Sequence, residues 1–367
     1  MQGANYRIMP LLLLLLLFHE PSCSAWITIP AGRQPTTSYP FLDCSRGRLH
    51  LTACFAKKKN NNNSNKGFGK QEAKKNSNSN DDTPSAESTA KPIYSQPALY
   101  DLAFGYRDFA EEVDFLWASH VNVTGSAPTR TLEVAAGPAR HSLAALQEYD
   151  DSLQAAYCLD NAVTMQEYAL DVAQHELSVD EQAKLHYHVA DMRHITSDLV
   201  TQSVDTAWIL LGSLQHLTSN DDVRACLQGI HDVLTDNGTL ILELPHPRET
   251  FRMVECTRNG WKVPLEDVGD GSDSGELAIV WGDDNDEFDE ITQVRQFTVR
   301  MQLTGTGEED VTLQEVVPMR LFTAQEMEAL ATAAGFRVAS LHGALEEGVE
   351  VNDEDAAYRL VVVLQKV

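Results

Sequence analysis

An α/β fold is predicted for residues 98–367: a mostly parallel sheet covered on both faces by helices, with an antiparallel β meander added after its fifth strand. Two observations predict the sheet. Short, mainly apolar runs between residues 131 and 245 alternate with longer stretches of helical period, which implies parallel strands covered on both faces. A third observation predicts the meander. After Pro247 the pattern becomes an alternation of apolar and polar residues, broken by acidic or Gly-containing turns.

The elements follow in order. The helix "DFAEEVDFLWASH" precedes a strand at Thr131–Ala135, and a helix from about Ala139 leads to a strand at Ala155–Leu159. Next, the helix "TMQEYALDVAQHEL" leads through "SVDEQ" to the stretch "KLHYHVADM". The apolar strand "TAWILL", the helix "SNDDVRACLQGIHDVL" and the strand "GTLILELP" come after it, the last opened by a turn at Asp236–Gly238. Helices between successive strands imply βαβ units. The meander comprises "ELAIVWG", "EITQVRQFTVRMQLTG" and "DVTLQEVVPMRLF". A helix, "TAQEMEALATAAG", starts at a cap on Thr323 and closes at Gly335, where a left-handed residue fits; the strands "FRVASLHG" and "YRLVVVLQK" follow. No internal repeat is visible.

The first 97 residues read differently. Arg7, the apolar run Leu11–Phe18 and the small residues of Cys23-Ser24-Ala25 have the order of a secretory signal peptide in residues 1–25, too short to span a bilayer. Residues 26–60 are basic and rich in hydroxyl groups, with Asp43 as the one acid, which is the chemistry of an organelle transit peptide. The Lys/Asn/Ser-rich tract Lys57–Lys91 has almost nothing apolar to bury and is expected to be disordered. The junction at Trp26 resembles the bipartite leader of algae with secondary plastids. The expected location is therefore the plastid, with secretion as the alternative.

The whole chain carries 28 Lys+Arg and 54 Asp+Glu, net −26; residues 1–97 hold 12 and 6 of these, so the remainder carries −32. Such a domain repels phosphate backbones, and nucleic acid is excluded as a partner class. Of six cysteines, Cys23, Cys44 and Cys54 lie in the leader, leaving Cys158, Cys226 and Cys256. That odd number, without C-x-x-C spacing, indicates neither a disulfide framework nor a metal site. The run "DDNDEF" lacks the Gly and terminal Glu of a calcium loop and is read as a solvated turn.

Four features fall at the ends of successive predicted strands, where open α/β sheets bind ligands. The first is the loop "TLEVAAGPARHSL", with Glu133, Ala135, Gly137 and Ala139 at the spacing E-x-A-x-G-x-A. It is a small-residue strand-to-helix turn holding one glycine where a phosphate-binding loop usually has three. The second is Asp160, placed to accept from both hydroxyls of a ribose. The third is Asp191-Met192, an acceptor for an adenine amine beside a side chain that can pack on the ring. The fourth is "ILLGSLQHL", with Leu211, Gly212, Ser213 and His216.

In this order and spacing the motifs resemble the class I S-adenosylmethionine-dependent methyltransferases, over about residues 98–367. The resemblance implies a Rossmann-like, mostly parallel seven-stranded sheet whose last strand is antiparallel, and S-adenosylmethionine as cofactor. It also implies that the first loop lies against the methionine part of that cofactor, which has no pyrophosphate to accommodate and so needs fewer glycines. Asp160 would hold the ribose, within "LDNAVTM", where Ala162 replaces the family's hydroxyl residue and Met165 matches its Met. Asp191 and Met192 would sit on the adenine side. The segment "YDLAFGYRDF" resembles the family's cofactor-covering aromatic stretch, with Tyr100, Phe104 and Arg107 as contacts.

Methyl transfer asks the protein to orient a nucleophile, exclude water and take up a proton where the nucleophile carries one. His216 is the candidate general base, the alternative being that it only orients its loop. The meander is expected to roof the acceptor pocket, with His246, Trp281, Arg295, Arg300, Arg320 and Phe322 in its lining; Arg320 is placed either to bind a carboxylate or to pair with a surface acid. The charge and the absence of an N/D-P-P-Y tetrapeptide after the fourth strand favour a small-molecule acceptor over RNA or DNA. Two other readings stay open: a non-catalytic cofactor-binding module, and an NAD-dependent oxidoreductase, which the missing G-x-G-x-x-G disfavours.

Overall fold

Residues 92–248, 259–265, 275–306 and 309–367 are described by a computed structural model. The signal-like segment, the leader to residue 91 and Cys256 lie outside the described residues. The strands, in chain order, are β1 (Arg130–Val134), β2 (Ala155–Asp160), β3 (Leu185–Val189), β4 (Val204–Ile209) and β5 (Leu234–Pro245), then β6 (Asn259–Pro264), β7 (Glu276–Trp281), β8 (Phe288–Asp289), β9 (Val294–Thr304) and β10 (Val311–Arg320), and last β11 (Phe336–His342) and β12 (Arg359–Lys366). The helices are α1 (Pro97–Phe104), α2 (Phe109–Thr124), α3 (Arg140–Glu148), α4 (Val163–Glu176), α5 (Val179–Lys184), α6 (Asn220–Val233) and α7 (Ala324–Ala333).

Seven strands form the main sheet in the order β11-β12-β5-β4-β1-β2-β3. Neighbours from β3 to β5 are parallel, and β12 is antiparallel to both β5 and β11, so the last strand alone runs against the rest. The period of two explains how one strand serves two cores. Leu360, Val362 and Leu364 of β12 enter the cluster beneath α6 and α7, whereas Val361 and Val363 enter the cluster with Leu116 of α2 and Leu146 of α3. Each such side chain contributes about 1.5–3 kcal/mol of burial. Between the layers, buried Thr239 donates to Thr206 at 2.9 Å and bonds His120 Nδ1 at 2.8 Å, leaving these polar groups paired.

A second, antiparallel sheet has the order β10-β9-β7-β6, with β8 paired to β9. Its inner face, including Ile279, Val299 and Met301, packs on Ile93, Leu99 and Ala103 of the N-terminal segment. This is the expected meander, with two differences. "NGWKVP" supplies a strand, β6, that its Pro and Gly concealed, and "SVDEQ" belongs to a short helix, α5, set by a capping box between Ser178 and Glu181. The cap at Thr323 is present, and Gly335 is left-handed at φ 87°, as the spacing required. The turn at Asp236–Gly238 lies inside β5, with Asn237 at φ 63°, where the pairing with β4 shifts register. Cys158 and Cys226 are buried free thiols.

Candidate active site

The loop between β1 and α3 answers why a single glycine suffices. Ala135, Gly137 and Ala139 have φ of 55°, 51° and 58°, so all three small positions are left-handed, two of them on alanine. A Cβ built on Gly137 would meet nothing nearer than a Tyr100 ring carbon at 4.0 Å. The turn therefore demands dihedral freedom more than space, and alanine meets that demand at about 1–2 kcal/mol of strain per position. The path is pinned by Ala136 N donating to Leu159 O (2.9 Å) and by the Tyr187 hydroxyl donating to Gly137 O (2.6 Å).

The ends of β1, β2, β3 and β4 open onto one cavity of about 270 Å³, close to the lower end for small-molecule sites. Ala135, Gly137, Asp160, Met165, Asp191, Met192 and Leu211 all line it, as do Tyr100 and Phe104 of α1. Gly137 N donates to Asp160 Oδ2 and Ala162 N to Oδ1, each at 2.9 Å, which fixes the carboxylate and leaves each oxygen a lone pair. Burial pushes the Asp160 carboxyl up, against the lowering effect of those N–H donors. Asp191 differs: Arg193 hydrogen-bonds both its oxygens, at 2.5–3.1 Å, and holds it down to about 2. Asp191 is thus an anion already engaged by a cation as it faces the cavity.

His216 lines the cavity opposite the loop, in a 3-10 turn Ser213–His216 entered through left-handed Leu211 and Gly212. Its Nε2 lies 3.2 Å from the Tyr94 hydroxyl, and burial lowers its pKa, so the imidazole is neutral near pH 7. Tyr94 precedes α1, and its phenol is raised well above its ordinary value by burial, so it stays protonated. The roof is aromatic. Phe104 meets Trp261 and Trp281 edge-on, with centroids 5.5 and 5.8 Å apart, and Trp261 Nε1 donates to Ala103 O at 2.8 Å. Trp281 lines the cavity, as the sequence predicted.

Seven predicted site residues do not line the cavity. The Arg107 guanidinium is taken by Glu112 and Glu243, at 2.8–3.2 Å, and acts as a buried link. Glu133 faces a small adjoining recess of about 40 Å³ and accepts from Ser142 N and Oγ at 3.0 and 2.5 Å, so it holds the start of α3. His246 Nε2 bonds Val351 O at 2.7 Å, and its Nδ1 accepts from Arg248 N. Arg320 is buried against Asn220 and Glu326 at 2.6 and 2.5 Å and stacks over Phe322. Arg295, Arg300 and Phe322 are also outside the lining. The sequence reading missed Tyr94, Asn161, Trp261, Met319 and Arg359, which do line it. Asn161 was signalled by its place next to Asp160; the others come from segments remote in sequence.

These groups fit an adenosyl sulfonium cofactor: a half-buried carboxylate with free lone pairs, Asp160, faces the same space as a second acid, Asp191, and backbone approaches closely through left-handed small residues. Residues 132–242 match the family model described as "Methyltransferase domain". Compared by sequence, no curated protein matches. Among solved structures, the chain is similar to an S-adenosylmethionine-dependent methyltransferase from Clostridium acetobutylicum at 13% identity and TM-score 0.56, covering 73% of this chain and 96% of that one. It is also similar to the sugar N-methyltransferase KedS8 from Streptoalloteichus at 15% identity and TM-score 0.54, covering 81% and 99%. A third is CalS10, an amino pentose methyltransferase from Micromonospora echinaspora, with S-adenosylmethionine bound, at 17% and 0.52, covering 77% and 99%. Among the described residues there is no helix long and apolar enough to cross a membrane and no cluster suited to a metal ion.

Proposed function

We propose that this chain, whose residues 132–242 match the methyltransferase-domain model and whose fold is similar to that of S-adenosylmethionine-dependent methyltransferases, transfers a methyl group to a small-molecule acceptor, a sugar or related natural product bearing an amine or hydroxyl. The observation that carries it is the convergence of Asp160 and Asp191, from neighbouring strands, on one cavity that also holds a neutral histidine. Bound S-adenosylmethionine supplies an electrophilic methyl on a sulfonium. Asp160 would accept from the ribose hydroxyls, while Asp191, Met192 and Leu211 would line the adenine side. His216 would take the acceptor's proton on Nδ1, its Nε2–H being donated to the Tyr94 hydroxyl oxygen at 3.2 Å, which holds the imidazole in place. The aromatic roof excludes water and orients the nucleophile, a role worth roughly 7–11 kcal/mol in well-aligned reactions. The acceptor class is supported by the similarity to KedS8, a sugar N-methyltransferase, and CalS10, an amino pentose methyltransferase, and by the acidity of residues 98–367.

The test is calorimetric titration of the chain with S-adenosylmethionine and S-adenosylhomocysteine, followed by transfer of labelled methyl to a panel of amino sugars and hydroxylated metabolites. Micromolar binding and a labelled product are expected; absence of binding removes the proposal. For residues 1–97 we propose plastid targeting through a bipartite leader. Imaging of that segment fused to a fluorescent protein tests this, and secretion of the fusion would refute it.

A further inference from the structure

We propose that Arg359 is the anchor for an oxyanion on the acceptor, a carboxylate or phosphate, and so determines which small molecules this site takes; the inference rests on the cavity being the methyl-transfer site. Arg359 opens β12, opposite Pro245 at the end of β5, and its side chain lines the cavity beside Pro245 and Gly212. Its counter-ion is already in use. Glu243 receives Arg107 through both oxygens at 3.2 and 3.1 Å and Leu211 N at 2.8 Å. Arg359 Nε lies 3.1 Å from Glu243 Oε1, yet off the axis a hydrogen bond needs, so the pair is ionic and Nε is buried without an acceptor. Among the described residues, no hydrogen bond takes any of the five N–H donors of this guanidinium.

The other cations of the region are neutralised. Arg107 is held by Glu112 and Glu243, Arg140 by Asp101 and Glu176, and Arg193 by Asp191 and Asp222. Arg359 is therefore the guanidinium in the cavity lining with its fork unengaged, in a domain whose net charge of −32 otherwise repels anions. A planar fork at this place matches the two oxygens of a carboxylate or phosphate. Trp261 and Trp281 on the same cavity offer ring faces to the rest of such a molecule.

Benzoate, phenyl phosphate and uncharged benzyl alcohol serve as probes, titrated into the full chain with and without S-adenosylhomocysteine and followed by tryptophan fluorescence and calorimetry. One or both anions are expected to bind at least about tenfold tighter than the alcohol, and which one does so separates carboxylate from phosphate recognition. Arg359→Gln should abolish that preference. Arg359→Lys, which keeps a cation beside Glu243 and so guards against misfolding, should retain it weakly and with greater sensitivity to salt. S-adenosylhomocysteine affinity should change less than threefold in both variants. Equal binding of the three probes, or a Gln variant that keeps the preference, overturns the proposal. A tenfold loss of S-adenosylhomocysteine affinity in both variants also overturns it, by assigning Arg359 to the cofactor's own carboxylate. If S-adenosylhomocysteine fails to bind the unaltered chain, the methyl-transfer reading fails, while the probe preference is still read from the free protein.

Discussion

The strand ends that floor the cavity and the meander that roofs it hold their side chains by different means. On the floor, Asp160 is fixed by two backbone N–H groups, from Gly137 and Ala162, and β2 is paired on both sides, with β1 and β3. On the roof, Trp261 is held by one bond to Ala103 O and by ring edges, between segments far apart in the chain. A floor built of backbone geometry presents the same acceptors whatever sits above it. A roof held by apolar contacts can change its lining without disturbing the sheet. On the proposed reading, the cofactor belongs to the first, and the acceptor lies between the second and Arg359 at the sheet's edge of the cavity.

The comparison breaks most directly at Asp160. Asp160→Ala removes an acceptor for two ribose hydroxyls and leaves Gly137 N and Ala162 N without a partner. S-adenosylhomocysteine affinity should fall at least about a hundredfold, since each charged hydrogen bond is worth roughly 1.5–3 kcal/mol. Calorimetry checks it, and an unchanged affinity would place the cofactor elsewhere.

Next in size is the support behind the floor, the buried chain of charges that runs from Arg107 through Glu112 and His141 to Glu133. Burial alone would depress the His141 imidazole, but its hydrogen bond to Glu112 at 2.7 Å and the Glu133 carboxylate 3.6 Å away prevail and push it up to about 9. A folded pKa above the unfolded value of about 6.5 gives stability that is full below pH 6.5 and lost as pH rises through about 9. The loss is on the order of 3 kcal/mol. Urea unfolding across that window should show it, and His141→Asn should flatten the dependence; a slope of the opposite sign would mean that the folded protein keeps His141 neutral.

The roof should respond in the complementary way. Trp261→Ala removes the bond to Ala103 O and the edge contact with Phe104. Stability is expected to drop by about 1–2 kcal/mol, because the ring is only partly buried. Cofactor affinity should move less than threefold while acceptor KM rises. A large loss of cofactor affinity would show that floor and roof are one unit.

The same contrast explains what was legible in the sequence. Parallel strands buried on both faces are unmistakable as apolar runs, and their ends mark ligand positions by topology alone, so Ala135, Asp160, Asp191 and Leu211 were placed from the chain. In the meander, alternation says that one face is buried without saying which face meets the cavity. Arg320 is therefore left between binding a carboxylate in the pocket and pairing with an acid, and it pairs with Glu326 and Asn220, while Trp261 was overlooked in a strand broken by Gly and Pro. Arg107 was misplaced for another reason. Its partner Glu243 lies 136 residues away, and local pattern carries no record of a long-range ion pair. Arg359 was hidden likewise at the start of an apolar strand.

The smallest effect probes the floor's own construction. Ala135 sits left-handed at φ 55° on the cavity wall, where a side chain costs about 1–2 kcal/mol that glycine avoids. Glycine also gives the unfolded chain more freedom, which takes back roughly 0.5–1 kcal/mol. Ala135→Gly should therefore raise the unfolding free energy by only about 0.5 kcal/mol, measurable as a shift in urea midpoint at constant slope. Its larger use is diagnostic: if the rigidity of this turn presents Asp160 and the loop backbone to the cofactor, the more stable variant should bind S-adenosylhomocysteine no better than the parent. Tighter binding would instead identify the Ala135 methyl as an obstruction in the floor, and the missing glycines as a defect of fit rather than a turn that alanine can make.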